Sequence, residues 1–396
     1  MLRRATSQVV EASLCRSAST AMAACRALSE GRRTGVVIGN PDQGMIEPIH
    51  VSWTDIAGWD NTPGARLTAG RVLAMLDMCA ARASQKAADI RAKGTGEKIL
   101  TCTVGVTNTM ISSPILHGDA VRLDGRIVHC GSSSMGIYIR FFRLSPSTRT
   151  ETPAGESFFT MCTITPDLKA AKAVPAIELT DPLDIEMHDR YLRIREIEKE
   201  NAADTKERMK RTLTPADVEC PVNQSKAIRV PFTATRVEAN RIFFTSCMNN
   251  NNTVFGGELM SWMEQHAVHC GRMFTGNRNV YTLGMHSVAF PEPVFSTDWV
   301  TLEATVIYVR NTTMEVDVVL RAERQGGAVM TNRASFVLIN NDDIGQKSRI
   351  PMGLELNGAT QEELQQFAEA RERYRRSVDQ RDAFYVSVPR IGTTKL

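Results

Sequence analysis

Hydrophobic residues recur at two different spacings along the 396-residue chain, and these spacings predict helices and strands. Two segments carry apolar residues three or four positions apart, which is typical of a helix with one buried face. The first segment begins at Ala69-Gly70 and the second at Gly256-Gly257. Their apolar positions are Val72, Leu73, Leu76 and Ala80 in the first, and Leu259, Met260, Met263 and Ala267 in the second.

Downstream of each helix, apolar positions alternate with polar ones, which predicts strands with one buried face. One such strand has Val300, Leu302, Ala304, Val306 and Tyr308 on one side and Thr301, Glu303 and Thr305 on the other. A further strand alternates from Met314 to Leu320, and its counterpart in the first half runs from Met135 to Phe141. One long helix on a meandering antiparallel sheet predicts an α+β domain in each half.

The two halves of the chain resemble each other. Residues 67–78 align with 254–265 at an offset of 187, whereas 114–119 align with 293–298 at an offset of 179. The difference of eight residues places an insertion between helix and strand in the first copy, where 93–97 reads as a loop. A period of about 180 residues is too long for a solenoid, so the pattern predicts a duplicated domain.

Both copies end in a proline-led segment followed by a charged helix with an Arg-Tyr pair, Arg190-Tyr191 or Arg373-Tyr374. Residues 184–211 contain eight acids and eight bases of mixed order, which predicts a solvated linker helix rather than a binding patch. The expected segments are a first domain at 45–175, a charged helical linker at 176–225, a second domain at 226–350, and a C-terminal helix and tail at 351–396.

Residues 1–35 differ in composition from the rest, with six arginines, two acids and mostly Ala, Ser and Thr. This composition predicts a mitochondrial transit peptide, with a plain disordered leader as the alternative. The last three residues, Thr394-Lys395-Leu396, differ by one residue from the peroxisomal Ser-Lys-Leu signal. We therefore expect the mitochondrial matrix, with a peroxisome-like organelle as the alternative.

Charge and cysteine content narrow the function classes. Lys plus Arg exceed Asp plus Glu by 47 to 44, and much of this excess lies in residues 1–35. The sequence shows no clustered basic face for nucleic acid and no run of about 18 apolar residues that would span a membrane. The nine cysteines form no C-x-x-C pair, which favours reduced thiols over a disulfide framework or a zinc ribbon.

Two carboxylates, Asp77 and Glu264, occupy equivalent places in the otherwise apolar helices. Partial burial beside residues such as Leu76 and Met263 would raise the carboxyl pKa and suit each group to act as a base. A solvent-facing carboxylate on an amphipathic helix is the ordinary alternative. The recurrence in both copies favours the functional interpretation.

An Asn-bearing turn precedes each helix, with Asn61 before the first and Asn249 before the second. Asn favours turns for structural reasons, but its amide is also suited to hold a water or a carbonyl opposite a carboxylate. The N–H groups of Gly70, Gly256 and Gly257, at the positive ends of the helices, are candidates to hold a developing oxyanion.

The motif Cys247-Met-Asn-Asn-Asn-Asn-Thr-Val-Phe-Gly-Gly-Glu-Leu-Met-Ser-Trp-Met-Glu264 resembles the hotdog-fold acyl-CoA thioesterases, and Leu67-Thr-Ala-Gly-Arg-Val-Leu-Ala-Met-Leu-Asp77 is a second instance. Strand motifs that begin at Val288 and Asn311 match the same family. The resemblance covers roughly residues 48–385 and is to the tandem, double-hotdog eukaryotic type.

This resemblance implies two hotdog domains side by side, with composite sites at their interface. Asp77 would pair with Asn249, and Glu264 with Asn61. The carboxylate would act as a base for water or attack the thioester directly. Thr62 is an alternative to Asn61, because the first copy has an extra residue before its helix.

The resemblance also implies contacts to coenzyme A, an acyl-CoA substrate, no cofactor, and a homo-oligomer that is a trimer of double hotdogs. The coenzyme A contacts would come from two turns, Ser132, Ser133, Ser134 and Asn311, Thr312, Thr313, although Ser/Thr turns also occur for structural reasons.

Two alternative functions remain open, a non-catalytic acyl-CoA sensor and a hotdog-type hydratase. The hydratase is disfavoured because its Asp/His pair needs a His five residues after the Asp, where this chain has Arg82. His269 follows Glu264 rather than an Asp. A zinc site at His266, His269 and Cys270 lacks a further ligand of the right type, so no metal is expected.

Overall fold

Four long helices organise the chain, of which the computed structural model describes residues 35–58 and 65–385. They are α1 (Ala69–Thr95), α2 (Pro182–Met209), α3 (Gly256–Thr275) and α4 (Gln361–Tyr385). Helices α1 and α3 begin at the residues that the apolar spacing predicts. Their inward side chains, such as Leu76 and Met263, are fully buried. Single helical turns occur at Pro215–Val218, Pro221–Gln224 and Phe232–Thr235, with short 3-10 turns at Pro41–Gln43 and Thr245–Cys247.

The strands of each domain follow its long helix or wrap around it. In the first half they are β1 (Val36–Ile38), β2 (Met45–Ile46), β3 (His50–Ile56), β4 (Leu100–Ile111), β5 (Ala120–Cys130), β6 (Ser134–Leu144), β7 (Glu151–Ile164) and β8 (Ala176–Leu179). In the second half they are β9 (Ile228–Pro231), β10 (Val237–Arg241), β11 (Val280–Ala289), β12 (Trp299–Val309), β13 (Thr313–Arg324), β14 (Gly327–Asn340) and β15 (Met352–Glu355).

Ten of these strands form one antiparallel sheet in the order β10-β12-β13-β14-β11-β4-β7-β6-β5-β3. Five strands come from each half, and β4 and β11 join the halves at the centre. The register there is symmetric, since Gly284 faces Met110 and Gly105 faces Ala289. The expected α+β architecture, two tandem hotdog domains with a long helix wrapped by an antiparallel sheet, is therefore confirmed.

Helices α1 and α3 cross where both carry small residues near their N-termini. A Cβ atom added to Gly70 would lie 2.7 Å from Cα of Ser261, and one added to Gly257 would lie 2.7 Å from Cα of Ala74. Contacts this short exclude a larger side chain without movement of the helices. The glycines thus set the distance at which each helix N-terminus approaches the other domain.

Each domain closes with a small sheet outside the main one, of three strands (β1-β8-β2) in the first domain and two (β15-β9) in the second. Strand β2 pairs in parallel with β8, and β9 pairs in parallel with β15. Both closing strands follow a proline, Pro175 or Pro351, and both precede a charged helix, as the sequence predicts.

Two predictions about the connecting segments are wrong. The segment 93–97 is not wholly a loop, because α1 continues to Thr95 and ends where Gly96 takes a left-handed conformation at φ 73°. The linker helix α2 is not fully solvated either. Its residues Met187, Tyr191 and Ile194 are buried against the outer face of the first sheet, since their spacing forms an apolar stripe within the charged sequence.

Candidate active site

Asp77 lies on α1 at the junction of the two domains, where it meets the N-terminus of α3. Its Oδ1 accepts a 2.6 Å hydrogen bond from the Thr103 hydroxyl on β4. Its Oδ2 accepts a 2.7 Å hydrogen bond from the backbone N–H of Gly257, which belongs to the other domain. The carboxylate is only 1% exposed. One carboxylate is therefore held by groups from both halves of the chain.

Burial raises the pKa of Asp77 to about 6, while the hydrogen bonds from Thr103 and Gly257 act in the opposite direction. The partial positive charge at the N-terminus of α3 also favours the ionised carboxylate. The carboxyl group is thus poised to exchange a proton within the physiological range, which suits a general base.

Glu264 occupies the equivalent place on α3 and is 2% exposed. Its Oε1 accepts a 2.6 Å hydrogen bond from the Thr282 hydroxyl on β11. Burial raises the pKa of Glu264, whereas Thr282 and the backbone amides of Gly70 and Ala69 oppose the rise. Its Oε2 is buried and makes no hydrogen bond of good geometry. Glu264, like Asp77, is therefore influenced by groups from both domains.

A cleft of about 290 Å³ opens beside Glu264. It lies where β4 and β11 diverge beyond their pairing. Its walls come from both domains and are Arg66, Leu67, Thr68, Ala69, Val72, Ile111, Pro114, Ile115, Glu264, Gln265, Val268, Arg272, Val280, Tyr281 and Thr282. A mostly apolar cleft that ends at a buried carboxylate is suited to a ligand with an apolar part and a reactive polar group.

The two hydroxyl donors, Thr103 and Thr282, are not among the site residues predicted from the sequence. A signal for them was present, because they are separated by 179 residues, the offset that relates the strands of the two halves. Threonine is common in strands, so its recurrence at one register position was the only mark of a role.

The glycines predicted to hold an oxyanion are brought to the carboxylates. A Cβ atom on Gly256 would lie 2.9 Å from Asp77 Oδ2, and Gly70 lies beside Glu264 across the equivalent contact. The N–H of Gly257, however, donates to Asp77 in this structure rather than to open space. It is available to a substrate oxygen only if the carboxylate releases it.

Asn249 lies in the loop that leads into α3, but the structure shows its amide engaged within that loop. Its Nδ2 donates to the Thr253 hydroxyl at 3.0 Å, and its Oδ1 accepts from the backbone N–H of Asn251. Asn251, not Asn249, reaches the first domain, through a 2.9 Å bond to the carbonyl of Thr101. The predicted partner of Glu264, Asn61, lies outside the described residues, as does its alternative Thr62. Both Asn roles remain predictions.

The turns predicted to contact coenzyme A lie two strands away from the carboxylates. Ser134 pairs with Cys162, which in turn pairs with Cys102, the residue before Thr103. At the Glu264 end, Thr313 pairs with Ile339, and Ile339 with Tyr281, so each turn is roughly 10 Å along the sheet from its site. The backbone carbonyls of both turns accept hydrogen bonds that close the hairpins or hold later segments of the chain. These acceptors are the carbonyls of Ser132, Ser133, Ser134, Asn311, Thr312 and Thr313.

The side chains considered for zinc have other partners. His266 Nδ1 lies 2.9 Å from the carbonyl of Trp262, and the Cys270 thiol donates to the carbonyl of Thr235. His269 is exposed. Within residues 35–58 and 65–385, no group of three His, Cys, Asp or Glu side chains is placed to hold a metal ion.

Comparison with known proteins gives a match to part of the second domain. Residues 251–329, which include Glu264, Gly256, Gly257 and Thr282, match the family model of the thioesterase superfamily. The first domain has an equivalent long helix and the same strand order.

The chain is also 33% identical over 117 residues to the uncharacterized acyl-CoA thioester hydrolase YkhA of Bacillus subtilis (strain 168). That match covers 27% of this chain and 63% of the relative.

Among solved structures, an acyl-CoA hydrolase from Staphylococcus aureus in complex with butyryl coenzyme A, coenzyme A and coenzyme A disulfide is 22% identical, with a TM-score of 0.36. The likeness covers 40% of this chain and 99% of that one. An acyl-CoA hydrolase from Agrobacterium tumefaciens is 15% identical, with 76% of this chain and 98% of that one covered and a TM-score of 0.27.

Proposed function

We propose that this chain hydrolyses acyl-CoA thioesters to a carboxylic acid and coenzyme A, at two sites between its domains. The observation that carries the proposal is the buried carboxylate of Asp77, which accepts a hydrogen bond from the N–H of Gly257 in the other domain. The superfamily match of residues 251–329 supports a thioester substrate. So does the acyl-CoA thioester hydrolase relative.

The chemistry follows from the ionised carboxylate. It either takes a proton from a water that attacks the thioester carbon, or attacks that carbon itself and forms an anhydride that water then hydrolyses. In both routes the C–S bond breaks and the thiolate of coenzyme A leaves with a proton. The N–H groups at the helix N-termini, near Gly256 and Gly70, are proposed to stabilise negative charge on the carbonyl oxygen once the carboxylate no longer accepts from them.

The proposed substrates are fatty acyl-CoAs, and the apolar side chains that line the cleft beside Glu264, such as Val72 and Val268, would contact the carbon atoms of an acyl chain there. Ser132 to Ser134 and Asn311 to Thr313 are proposed to contact the coenzyme A part, since each turn lies at the same end of the sheet as one carboxylate. Asn249 is proposed to orient the water or the carbonyl at the Asp77 site, from the loop next to Gly256.

The direct test is thiol release from a series of acyl-CoAs of increasing chain length by the purified full chain. Turnover that saturates with acyl-CoA and ends in free coenzyme A is the expected result. Tight binding of acyl-CoA without any release of thiol would contradict hydrolysis and favour a sensor.

Turnover at the Asp77 site should depend on the ionisation of that carboxyl group. Folding raises the pKa of Asp77 from 3.8 to about 6, so the site loses its base as the pH falls through 6. We expect kcat/KM to drop about tenfold for each pH unit below that value. The measurement uses a Glu264→Gln variant, in which only the Asp77 site remains, and a thiol reagent that reacts in acid.

The stability of the protein should change in the opposite direction over the same range. Because the folded state binds the extra proton between pH 3.8 and about 6, this group favours folding more as the pH falls through that window.

A Thr103→Val variant removes the 2.6 Å bond to the carboxylate and should move the midpoint of activity to higher pH. An unchanged midpoint in that variant would show that another group controls the profile.

We also propose that the chain assembles into a homo-oligomer, a trimer of double hotdogs. Large apolar side chains stand exposed at the β10 edge, among them Phe244 at 67% and Trp299 at 74%. Exposed apolar residues grouped in this way are typical of contact surfaces. Light scattering after gel filtration should give about three times the chain mass of 43.8 kDa, and a mass of one chain would contradict the trimer.

Residues 1–35 are proposed to direct the protein to the mitochondrial matrix. All but the last of these residues lie outside the described part of the chain, so the proposal rests on their composition. No helix among the described residues has the length and apolar character needed to cross a bilayer. Fusion of residues 1–35 to a fluorescent protein tests the targeting. If the full chain is found in a peroxisome-like organelle, and only when the C-terminal Thr394-Lys395-Leu396 is present, the alternative is favoured.

A further inference from the structure

The surroundings of Asp77 and Glu264 differ in charge at equivalent positions, although the two frameworks match. The backbone bond from Leu67 N to the carbonyl of Ile115 has its counterpart in the bond from Val254 N to the carbonyl of Val294, both 2.8 Å long. By this equivalence, the position that Arg66 occupies at the Glu264 cleft is occupied at the Asp77 site by a neutral residue, Thr253.

Two further positions differ in the same way. By the helix offset of 187, Arg272 of the Glu264 cleft corresponds to Gln85. By the strand offset of 179, Tyr281 corresponds to Cys102. The Glu264 cleft therefore contains two guanidinium groups and a phenol ring where the equivalent positions of the first copy and the Asp77 site have Thr253, Gln85 and Cys102.

Arg66 is held by an aromatic ring rather than by a close ion pair. Its guanidinium lies 4.5 Å above the centre of the Tyr281 ring, and burial lowers the pKa of Arg66. Among the described residues, no carboxylate lies within 4.0 Å of Arg66 or of Arg272. One carboxylate, Glu264, interacts with the charges of both arginines. The second positive charge in a partly desolvated cleft is costly, and a bound anion would compensate it.

The anion does not come from the diphosphate of coenzyme A. The pantetheine arm separates the diphosphate from the thioester by a length comparable to four extended residues, roughly 14 Å. Arg66 lines the same small cleft as Glu264 and is influenced by its charge, so it faces the reacting end of the substrate. Coenzyme A is also common to every substrate of both sites, whereas the arginine occurs at only one. The difference therefore concerns the acyl group.

We propose that the Glu264 cleft selects acyl-CoAs whose acyl group ends in a carboxylate, the monothioesters of short dicarboxylic acids. Arg66 is the specificity-determining residue, with its guanidinium donating to the terminal carboxylate, and Arg272 contributes positive charge at the exposed mouth. The reaction is the hydrolysis already proposed, and the inference rests on that function. The Asp77 site, with Thr253 and Gln85 in these places, takes uncharged acyl groups.

The test compares glutaryl-CoA with valeryl-CoA, which have five-carbon acyl groups with and without a terminal carboxylate. The full chain carrying Asp77→Asn reports on the Glu264 site alone. We expect kcat/KM for glutaryl-CoA to exceed that for valeryl-CoA at least tenfold. Adding Arg66→Gln should reduce the ratio at least tenfold, and adding Arg66→Lys should retain part of it.

Arg71→Gln is the matched control, since Arg71 lies on α1, five residues after Arg66, is exposed, and loses the same charge. It should leave the glutaryl to valeryl ratio unchanged. Equal losses for both substrates in the Arg66→Gln protein, or no preference for glutaryl-CoA before that change, would overturn the assignment of Arg66. If no acyl-CoA of any kind releases thiol with the unmodified chain, the proposed hydrolysis fails as well.

Discussion

Replacing Asp77 with Asn and Glu264 with Gln in the same chain should lower the rate of thiol release from acyl-CoA at least about 100-fold. Each carboxylate is almost fully buried, and each is the central acceptor of its site. A positioned general base contributes roughly 10² to 10⁴ to a rate, and the amide replacements keep the shape while removing the base. The measurement is kcat/KM of the purified variant, taken from rates over a range of acyl-CoA concentrations.

The single variants assign the remaining activity. Asp77→Asn alone leaves the Glu264 site, and Glu264→Gln alone leaves the Asp77 site, so their rates show how the total is divided. Asp89→Asn is a matched control, because Asp89 is an exposed carboxylate on the same helix α1. A double variant that folds, as judged by circular dichroism, and keeps more than a tenth of the activity would refute the role of the carboxylates.

Gly70→Ala should lower the thermal midpoint of unfolding by several degrees. The added Cβ would lie 2.7 Å from Cα and 3.0 Å from the carbonyl oxygen of Ser261, and neither backbone atom can rotate away. Helices α1 and α3 would have to separate, and overpacking of this kind costs about 1–3 kcal/mol. The separation should also draw the α1 N-terminus away from Glu264 and slow turnover at that site.

Gly94→Ala provides the comparison within the same helix. A Cβ atom at Gly94 meets nothing within 4 Å, so this change brings only the better helix propensity of alanine, about 1 kcal/mol. We expect the midpoint to stay or to rise. Equal effects of the two substitutions would mean that the helix crossing tolerates a methyl group and does not set the geometry of the sites.

Much of the fold could be predicted because apolar spacing and the internal similarity agreed. The starts of α1 and α3 followed from the three-to-four spacing after Ala69 and Gly256. The end of α1 did not, since a helix that carries Gly94 near its terminus looks like a loop in sequence. The buried stripe of α2 was hidden for a similar reason: three apolar residues among many charges leave the average composition that of a solvated helix.

The carboxylates of the site were visible in the sequence, whereas the way they are held was not. Asp77 and Glu264 stand out as polar residues on apolar helix faces. Their hydroxyl partners come from strands in the same domain, and their amide neighbours from the other domain, so only the packed structure brings these groups together. Arg66 carried no motif, and its place in a cleft follows from the pairing of β4 with β11.

The central pairing of β4 with β11 puts two related sites on one polypeptide. In an assembly of two identical subunits, every substitution appears in both sites at once, so neither can change without the other. Here a single substitution changes the surroundings of one carboxylate alone. A gene of this form can keep one half unchanged while the other diverges, and Arg66, which faces Thr253 in the alignment of the halves, is such a one-sided difference.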